Sequence, residues 1–207
     1  MTLIEFLDYA AVVVFAITGA LAASRAQLDI VGFAFVASLT AVGGGTIRDL
    51  LLKRDSVFWV ENTDYIFYAV VAAFAVFFAA HLFESRLKAL MWLDAVALAV
   101  AVSAGTSVAM EMDQLPQVVV IMGIATGCFG GLMRDVVCNE VPLVLKQGEL
   151  YASAAFAGAL AAVIASFVTP SPLVISLACA GTTFILRAGS LKFGWSLPVY
   201  KSRPPRT

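Results

Sequence analysis

The sequence predicts an all-α polytopic membrane protein of seven transmembrane helices, built as a three-plus-three inverted repeat with one extra helix. Three observations predict it. Of 207 residues, 61% are hydrophobic and 13% charged, with mean hydropathy +0.95, whereas a soluble domain carries about 25% charged residues. Apolar runs near the roughly 20 residues that cross a bilayer recur seven times. The chain also repeats itself. A shift of 86 positions lays Leu7-Asp8 on Leu93-Asp94, Gly19 on Gly105, Thr40 on Thr126, Gly44-Gly45 on Gly130-Gly131, Arg48-Asp49 on Arg134-Asp135 and Tyr65 on Tyr151. Three helices per repeat is an odd number, so the second repeat starts on the opposite side of the bilayer.

The first span runs from about Phe6 to Ala23. The residues before it, Met1-Thr2-Leu3-Ile4-Glu5, lack the positive start of a secretory signal, and no A-x-A site follows, so the run reads as a retained helix. The turn Ser24 to Asp29 leads to the second span, Ile30 to Leu52, which three consecutive glycines divide. The polar link Lys53 to Asp64 carries Trp59; Trp59, Trp92 and Trp195 read as interface anchors. Tyr65 to Phe83 is the third span and Glu84 to Lys88 a charged hairpin. The fourth span, Leu90 to Met110, ends in an acidic turn with Glu111, Asp113 and Pro116. A second glycine cluster divides the fifth, Gln117 to Cys138, and Asn139 to Glu149 links it to the sixth, Leu150 to Val168. Thr169-Pro170-Ser171-Pro172 marks a turn before the seventh, Leu173 to Ala188. The expected organisation is a first repeat over 1–88 with a kinked helix at 30–52, and an inverted second repeat over 89–168 with a kinked helix at 117–138. A seventh helix over 169–191 and a basic cytoplasmic tail over 192–207 complete it.

Charge sets the orientation and excludes several functions. With the N-terminus outside, Arg25, Arg86, Lys88, Lys146, Arg187, Lys192, Lys201, Arg203 and Arg206 fall inside, against only Lys53 and Arg54 outside. The positive-inside rule therefore puts the C-terminus in the cytoplasm. The net charge of −1 says nothing about partners, because most charges lie in short loops, but no basic stripe appears, so nucleic acid is not expected as one. Cys128, Cys138 and Cys179 have no C-x-x-C spacing and the single His81 ends a span, so no metal, cofactor or disulfide is expected. No nucleophile–base pair suggests an enzyme.

The chemistry is concentrated in Gly43-Gly44-Gly45-Thr46-Ile47-Arg48-Asp49 and its echo, Gly127-Cys128-Phe129-Gly130-Gly131-Leu132-Met133-Arg134-Asp135. Each glycine costs about 1 kcal/mol of helix propensity, and a charge in hydrocarbon roughly 3 kcal/mol or far more. A helix broken at depth frees backbone groups that must face protein or water. Carbonyls freed near Val42 and Gly43, and around Gly127 and Phe129, would replace part of a cation's hydration shell, as in selectivity filters. Thr46 adds an oxygen that its counterpart Leu132 lacks. The alternative use of the glycines is close packing, as in Gly123-x-x-x-Gly127. Adjacent Arg and Asp point about 100° apart on a helix, so inverted symmetry predicts crossed pairs, Arg48 with Asp135 and Arg134 with Asp49. Such pairs would form a static lock, charged rings around a pore, or both. Asp8 and Asp94, starting spans one and four, either complement the helix dipole or line a vestibule.

The Gly-Gly-Gly-Thr-Ile-Arg-Asp-Leu-Leu-Leu string at 43–52, its Gly-Gly-Leu-Met-Arg-Asp echo at 130–135 and the helix layout resemble prokaryotic members of the trimeric intracellular cation (TRIC) channel family. The resemblance covers nearly the whole chain up to Lys192. It implies an inner-membrane homotrimer with one pore per protomer, framed by spans two and five and surrounded by membrane lipid. The pore would pass monovalent cations, K+ first and Na+ as a second candidate. The positions it implicates are Gly43, Gly44, Gly45, Thr46, Arg48, Asp49, Gly127, Phe129, Gly130, Gly131, Arg134 and Asp135. Animal members carry a Lys-Glu-Val string tied to phosphoinositide binding; this chain departs from that pattern, its nearest string being Asn139-Glu140-Val141. Some bacterial relatives have been proposed to move glycine. That sets a rival reading, a transporter whose helix N-termini take a carboxylate and whose carbonyls or aspartates take an ammonium.

Overall fold

A computed structural model describes residues 2–82 and 85–198. The helices are α1 (Leu3–Arg25), α2 (Ile30–Leu51), the single-turn α3 (Phe58–Glu61), α4 (Asp64–Ala79), α5 (Arg86–Glu111), α6 (Pro116–Val137), α7 (Ala152–Val168) and α8 (Pro172–Phe193). Short 3-10 turns lie at Ala80–Leu82 and Leu143–Leu145. Among the described residues, six helices are long and apolar enough to cross a membrane, and α7 is a shorter apolar helix. These seven answer to the seven expected spans; α3 and the 143–145 turn, both inside links read as irregular, were not anticipated. Most of the expected basic tail, including Lys201, Arg203 and Arg206, lies outside the described residues, as does Glu84 of the expected hairpin.

Local chemistry sets where the helices begin. The Thr2 hydroxyl accepts from the Glu5 amide and the Glu5 carboxylate accepts from the Thr2 amide, closing a capping box on α1. Asp29 caps α2 through the Gly32 amide, and Ser85 caps α5 through the Lys88 amide. Pro116 and Pro172 open α6 and α8, where a missing N–H costs nothing.

The repeat is visible in both packing and backbone. α1 packs on α2 and α4 as α5 packs on α6 and α7, while α1 meets α5 and α2 meets α6 between the halves. α8 covers α5 and α7 and has no counterpart. Left-handed residues follow the helix ends in matched pairs 86 positions apart: Gln27 (φ 55°) with Asp113 (51°), and Lys53 (53°) with Asn139 (55°). With no hydrophobic drive between helices in lipid, small residues carry the contacts. Ala16, Ala20, Ala23, Ala97, Ala101 and Ala104 are all buried on α1 and α5. A Cβ on Gly19 would stand 2.7 Å from the Thr40 hydroxyl of α2, and one on Gly105 would stand 2.6 Å from the Met122 carbonyl of α6.

The expected breaks do not occur. α2 and α6 are continuous α-helices through Gly43 to Gly45 and Gly127 to Gly131, so neither divides into half-helices with released carbonyls. Packing explains the glycines instead. The bare face of Gly44 lies on the Thr126 carbonyl and that of Gly130 on the Thr40 carbonyl, each closer than a methyl group allows. The two helices cross backbone to backbone at symmetric points, and the glycines exist for that approach.

Candidate functional site: two buried charge clusters and a vestibule

Each repeat folds its arginine into a cluster of the same design. In the first, Arg48 is fully buried; its Nε donates to Asp49 Oδ1 (2.7 Å) and its Nη1 to Asp8 Oδ1 (2.9 Å). The other Asp49 oxygen accepts from the Phe58 amide at 2.9 Å, and Arg54 approaches Oδ1 at 3.4 Å. The Phe58 ring lies 5.4 Å from the Arg48 guanidinium, a cation–π contact. In the second, Arg134 Nε donates to Asp135 Oδ1 (2.8 Å) and Nη1 to Asp94 Oδ1 (2.7 Å), while Asp135 Oδ2 accepts from the Leu143 amide (2.9 Å). Thus α1 and α5 supply one carboxylate, α2 and α6 supply arginine and the second carboxylate, and the unanticipated short turns cap that carboxylate.

Two expectations are corrected here. Arg48 does not meet Asp135, nor Arg134 Asp49; each arginine pairs within its own repeat. The motif lies four residues beyond each glycine crossing, about 6 Å along a helix. Because the two helices run in opposite directions, the clusters end on opposite sides of the crossing. The long arginine stem also curls back to reach its sequence neighbour, which backbone angles alone do not forbid. Asp8 and Asp94 are not first-turn residues: α1 begins at Leu3 and α5 at Arg86, and both acids serve as arginine counterions.

The halves differ chemically. Arg134 gains a third bond, to the Thr18 hydroxyl at 3.0 Å, where the equivalent position of the other half is Ala104. Arg54, which backs the first cluster, is matched by Glu140, which pairs with Arg25 at 3.1 Å. The Asp8 side chain keeps 10% exposure, while Asp94 keeps none. The first cluster therefore opens to the vestibule through Asp8, while the second keeps only a slight exposure, at Asp135.

The remaining expected positions divide. Thr46 donates to the Val42 carbonyl (2.8 Å) and accepts from the Trp59 indole (2.9 Å), so its oxygen is largely committed and Trp59 is tethered rather than a free anchor. Gly43 faces the Met133 sulfur, and Gly127 faces Val102 and Leu98. Gly131 leaves room for the Tyr151 hydroxyl. Phe129 is half-buried and belongs to neither cluster. Arg187, counted above as an inner-loop charge, is fully buried on α8, 5.0 Å from the Tyr151 ring and 2.8 Å from Glu149. Without it the inner side still outnumbers the outer, eight basic residues to two.

Glu149 joins the 146–151 segment to α8. It takes Lys146 and Arg187 at 2.8 Å each, and the Leu150 amide donates to Ser190. Burial alone would raise the Glu149 carboxyl, but the bonds and charges of Lys146 and Arg187 outweigh it and hold it below the usual range. A depressed carboxylate stabilises the fold above its unfolded value of 4.5 and loses that contribution as pH falls through the folded value. The thermal midpoint of the purified protein is expected to drop as pH is lowered below about 4.5, and Glu149→Gln to flatten part of that drop.

Two voids adjoin the first cluster. A vestibule of about 410 Å³ opens between the N-terminus of α1, α3 and the start of α4, lined by Glu5, Asp8, Tyr9, Arg54, Phe58, Glu61, Asn62 and Tyr65 among others. A second void of about 10 Å³, room for about one water, lies at the helix crossing against Gly44, Gly45, Ala41, Ala101 and Thr126. Asp8 and Phe58 line both.

With this geometry in place, known proteins supply a comparison. The family described as glycine transporter matches residues 5–81 and again 91–167, the same 86-residue spacing. The UPF0126 membrane protein of Vibrio cholerae is 34% identical over 96% of this chain and 83% of its own length. The UPF0126 inner membrane protein YadS of Escherichia coli is 34% identical over 96% of both chains. A TRIC orthologue from Rhodobacter sphaeroides is 39% identical, with TM-score 0.90 over 94% of this chain and all of that one. The chain belongs to this TRIC-like family. The family's description thus names one transport activity and the solved Rhodobacter sphaeroides relative another, and the family profile fits each half of the chain in turn.

Proposed function

We propose that the protein is a passive monovalent cation channel of the inner membrane, with a path inside each protomer of a homotrimer. The observation that carries this reading is the vestibule ending at Asp8. Its walls hold Glu5, Asp8 and Glu61 against the single cation Arg54, so the mouth attracts cations and raises their local concentration. It leads toward the crossing of α2 and α6, the two helices expected to frame the pore. The positions proposed to border the path are Gly44, Gly45 and Asp49 on α2 and Gly130 and Asp135 on α6, with Asp8 added to the residues expected from sequence. The Rhodobacter sphaeroides TRIC channel relative supports cation passage and trimer assembly. The inner-membrane label of the Escherichia coli relative supports the location, and the charge count supports an external N-terminus.

The glycine-transporter reading rests on the family description. Its physical basis is weaker than the sequence suggests, because continuous α2 and α6 present no internal helix N-termini to a carboxylate. Reconstituted protein under a KCl gradient separates the two. Discrete currents reversing toward the potassium potential are expected. Electrical silence with saturable glycine counterflow in liposomes would transfer the assignment to the transporter.

A further inference from the structure

We infer that Phe58 is the outer steric barrier of the path, held in place by the first charge cluster; this rests on the cation-path reading above. Phe58 is the one aromatic ring that lines both the vestibule and the void at the crossing. The ring lies on the bare face of Gly45, where a Cβ would stand 2.5 Å from Cε1, and packs edge-on against Tyr65 with centroids 4.8 Å apart. Its amide donates to Asp49 Oδ2 at 2.9 Å, so the carboxylate that balances Arg48 also fixes where the ring sits. Phe58 opens a helix of only four residues, and Val57 before it makes no side-chain cap. That turn is tied to its surroundings by the Trp59 indole on Thr46 and the Asn62 amide on Tyr9. A short turn on a few polar tethers shifts at far lower cost than a transmembrane helix.

The second repeat has the same arrangement with a different residue. Leu143 opens the 143–145 turn, is buried, and donates its amide to Asp135 Oδ2 at 2.9 Å. The two short turns are therefore quasi-equivalent in how a carboxylate holds them, with an aromatic residue in one and an aliphatic residue in the other. Gly45 serves the aromatic one directly, since any side chain there would push the ring into the path.

The test is chemical access to the void behind the ring. Ala41, a wall of that void, is replaced by cysteine, and the protein in lipid nanodiscs is treated with a charged methanethiosulfonate reagent. Modification at position 41 is followed by mass spectrometry of its peptide. Phe58→Ala is expected to speed modification about tenfold or more, as removal of a protecting contact does, with Phe58→Leu intermediate. A cysteine at Ala97, fully buried and not among the walls of the void, should stay slow in every background. Should Phe58→Ala lose its monodisperse peak, Phe58→Leu carries the comparison. Equal rates at position 41 with and without the ring would overturn the barrier, whatever the currents do. Faster access together with electrical silence in parent and variant alike would keep the barrier and overturn the cation-path reading instead.

Discussion

Arg134→Met is expected to be the most damaging single substitution in the chain. Among the described residues it removes the only cation paired with both Asp94 and Asp135, which have little or no access to water. Breaking a buried pair from one side costs about 3–5 kcal/mol, because the partner charge is left uncompensated. Here two carboxylates are left, with the Thr18 hydroxyl as poor replacement. Arg48→Met is expected to cost distinctly less. Arg54 remains beside Asp49, and Asp8 borders the vestibule, where water reaches it. Arg134→Lys should recover little, since a single ammonium cannot reproduce three directed bonds from a planar fork. Thermal unfolding and size-exclusion profiles in one detergent check the ranking. Equal losses for Arg48→Met and Arg134→Met would show that the difference in hydration has no energetic weight.

Gly44→Ala and Gly130→Ala form the second large expectation. On an exposed helix, replacing glycine by alanine gains about 1 kcal/mol of propensity. At the crossing each new methyl would drive into a carbonyl of the facing helix, Thr126 for Gly44 and Thr40 for Gly130. Backbone cannot swing aside as a side chain does, so α2 and α6 must separate. Overpacking of this kind costs typically 1–3 kcal/mol, and separation would also alter the path between the helices. Gly181→Ala is the control: nothing lies within 4 Å of its Cβ position, and the change should be neutral or slightly stabilising. Thermal midpoints of the three variants give the comparison, and a neutral Gly44→Ala would mean the helices are not held at this distance.

Much of the fold was legible because hydrophobic length and the 86-residue register are properties of the sequence itself. The spans, the inversion and the extra helix all follow from them. The site was legible only in part. Arg48, Asp49, Arg134 and Asp135 stand out as charges in apolar runs, but their partners depend on where helices cross, which spacing along one helix does not report. Asp8 and Asp94 carried a usable signal: two acids at matched positions within apolar spans, equal in number to the two arginines that need counterions. The glycines were ambiguous because breaking a helix and letting two helices touch demand the same residue. Phe58 and Leu143 gave no signal, since the repeat slips by one position between them and their role rests on a backbone amide. Arg187 was misplaced because a basic residue near a span end looks like a loop charge until α8 buries it.

The passage of cations beside Asp8 is tested most directly by the reversal potential of Asp8→Asn against the parent under the same KCl gradient. Asparagine keeps an oxygen for Arg48 and removes the vestibule's innermost negative charge. The expected result is a parent reversal near the potassium potential and a variant reversal shifted toward zero with smaller currents. Identical reversal and conductance in both would mean that ions do not pass this carboxylate, and the path proposed for each protomer would be wrong.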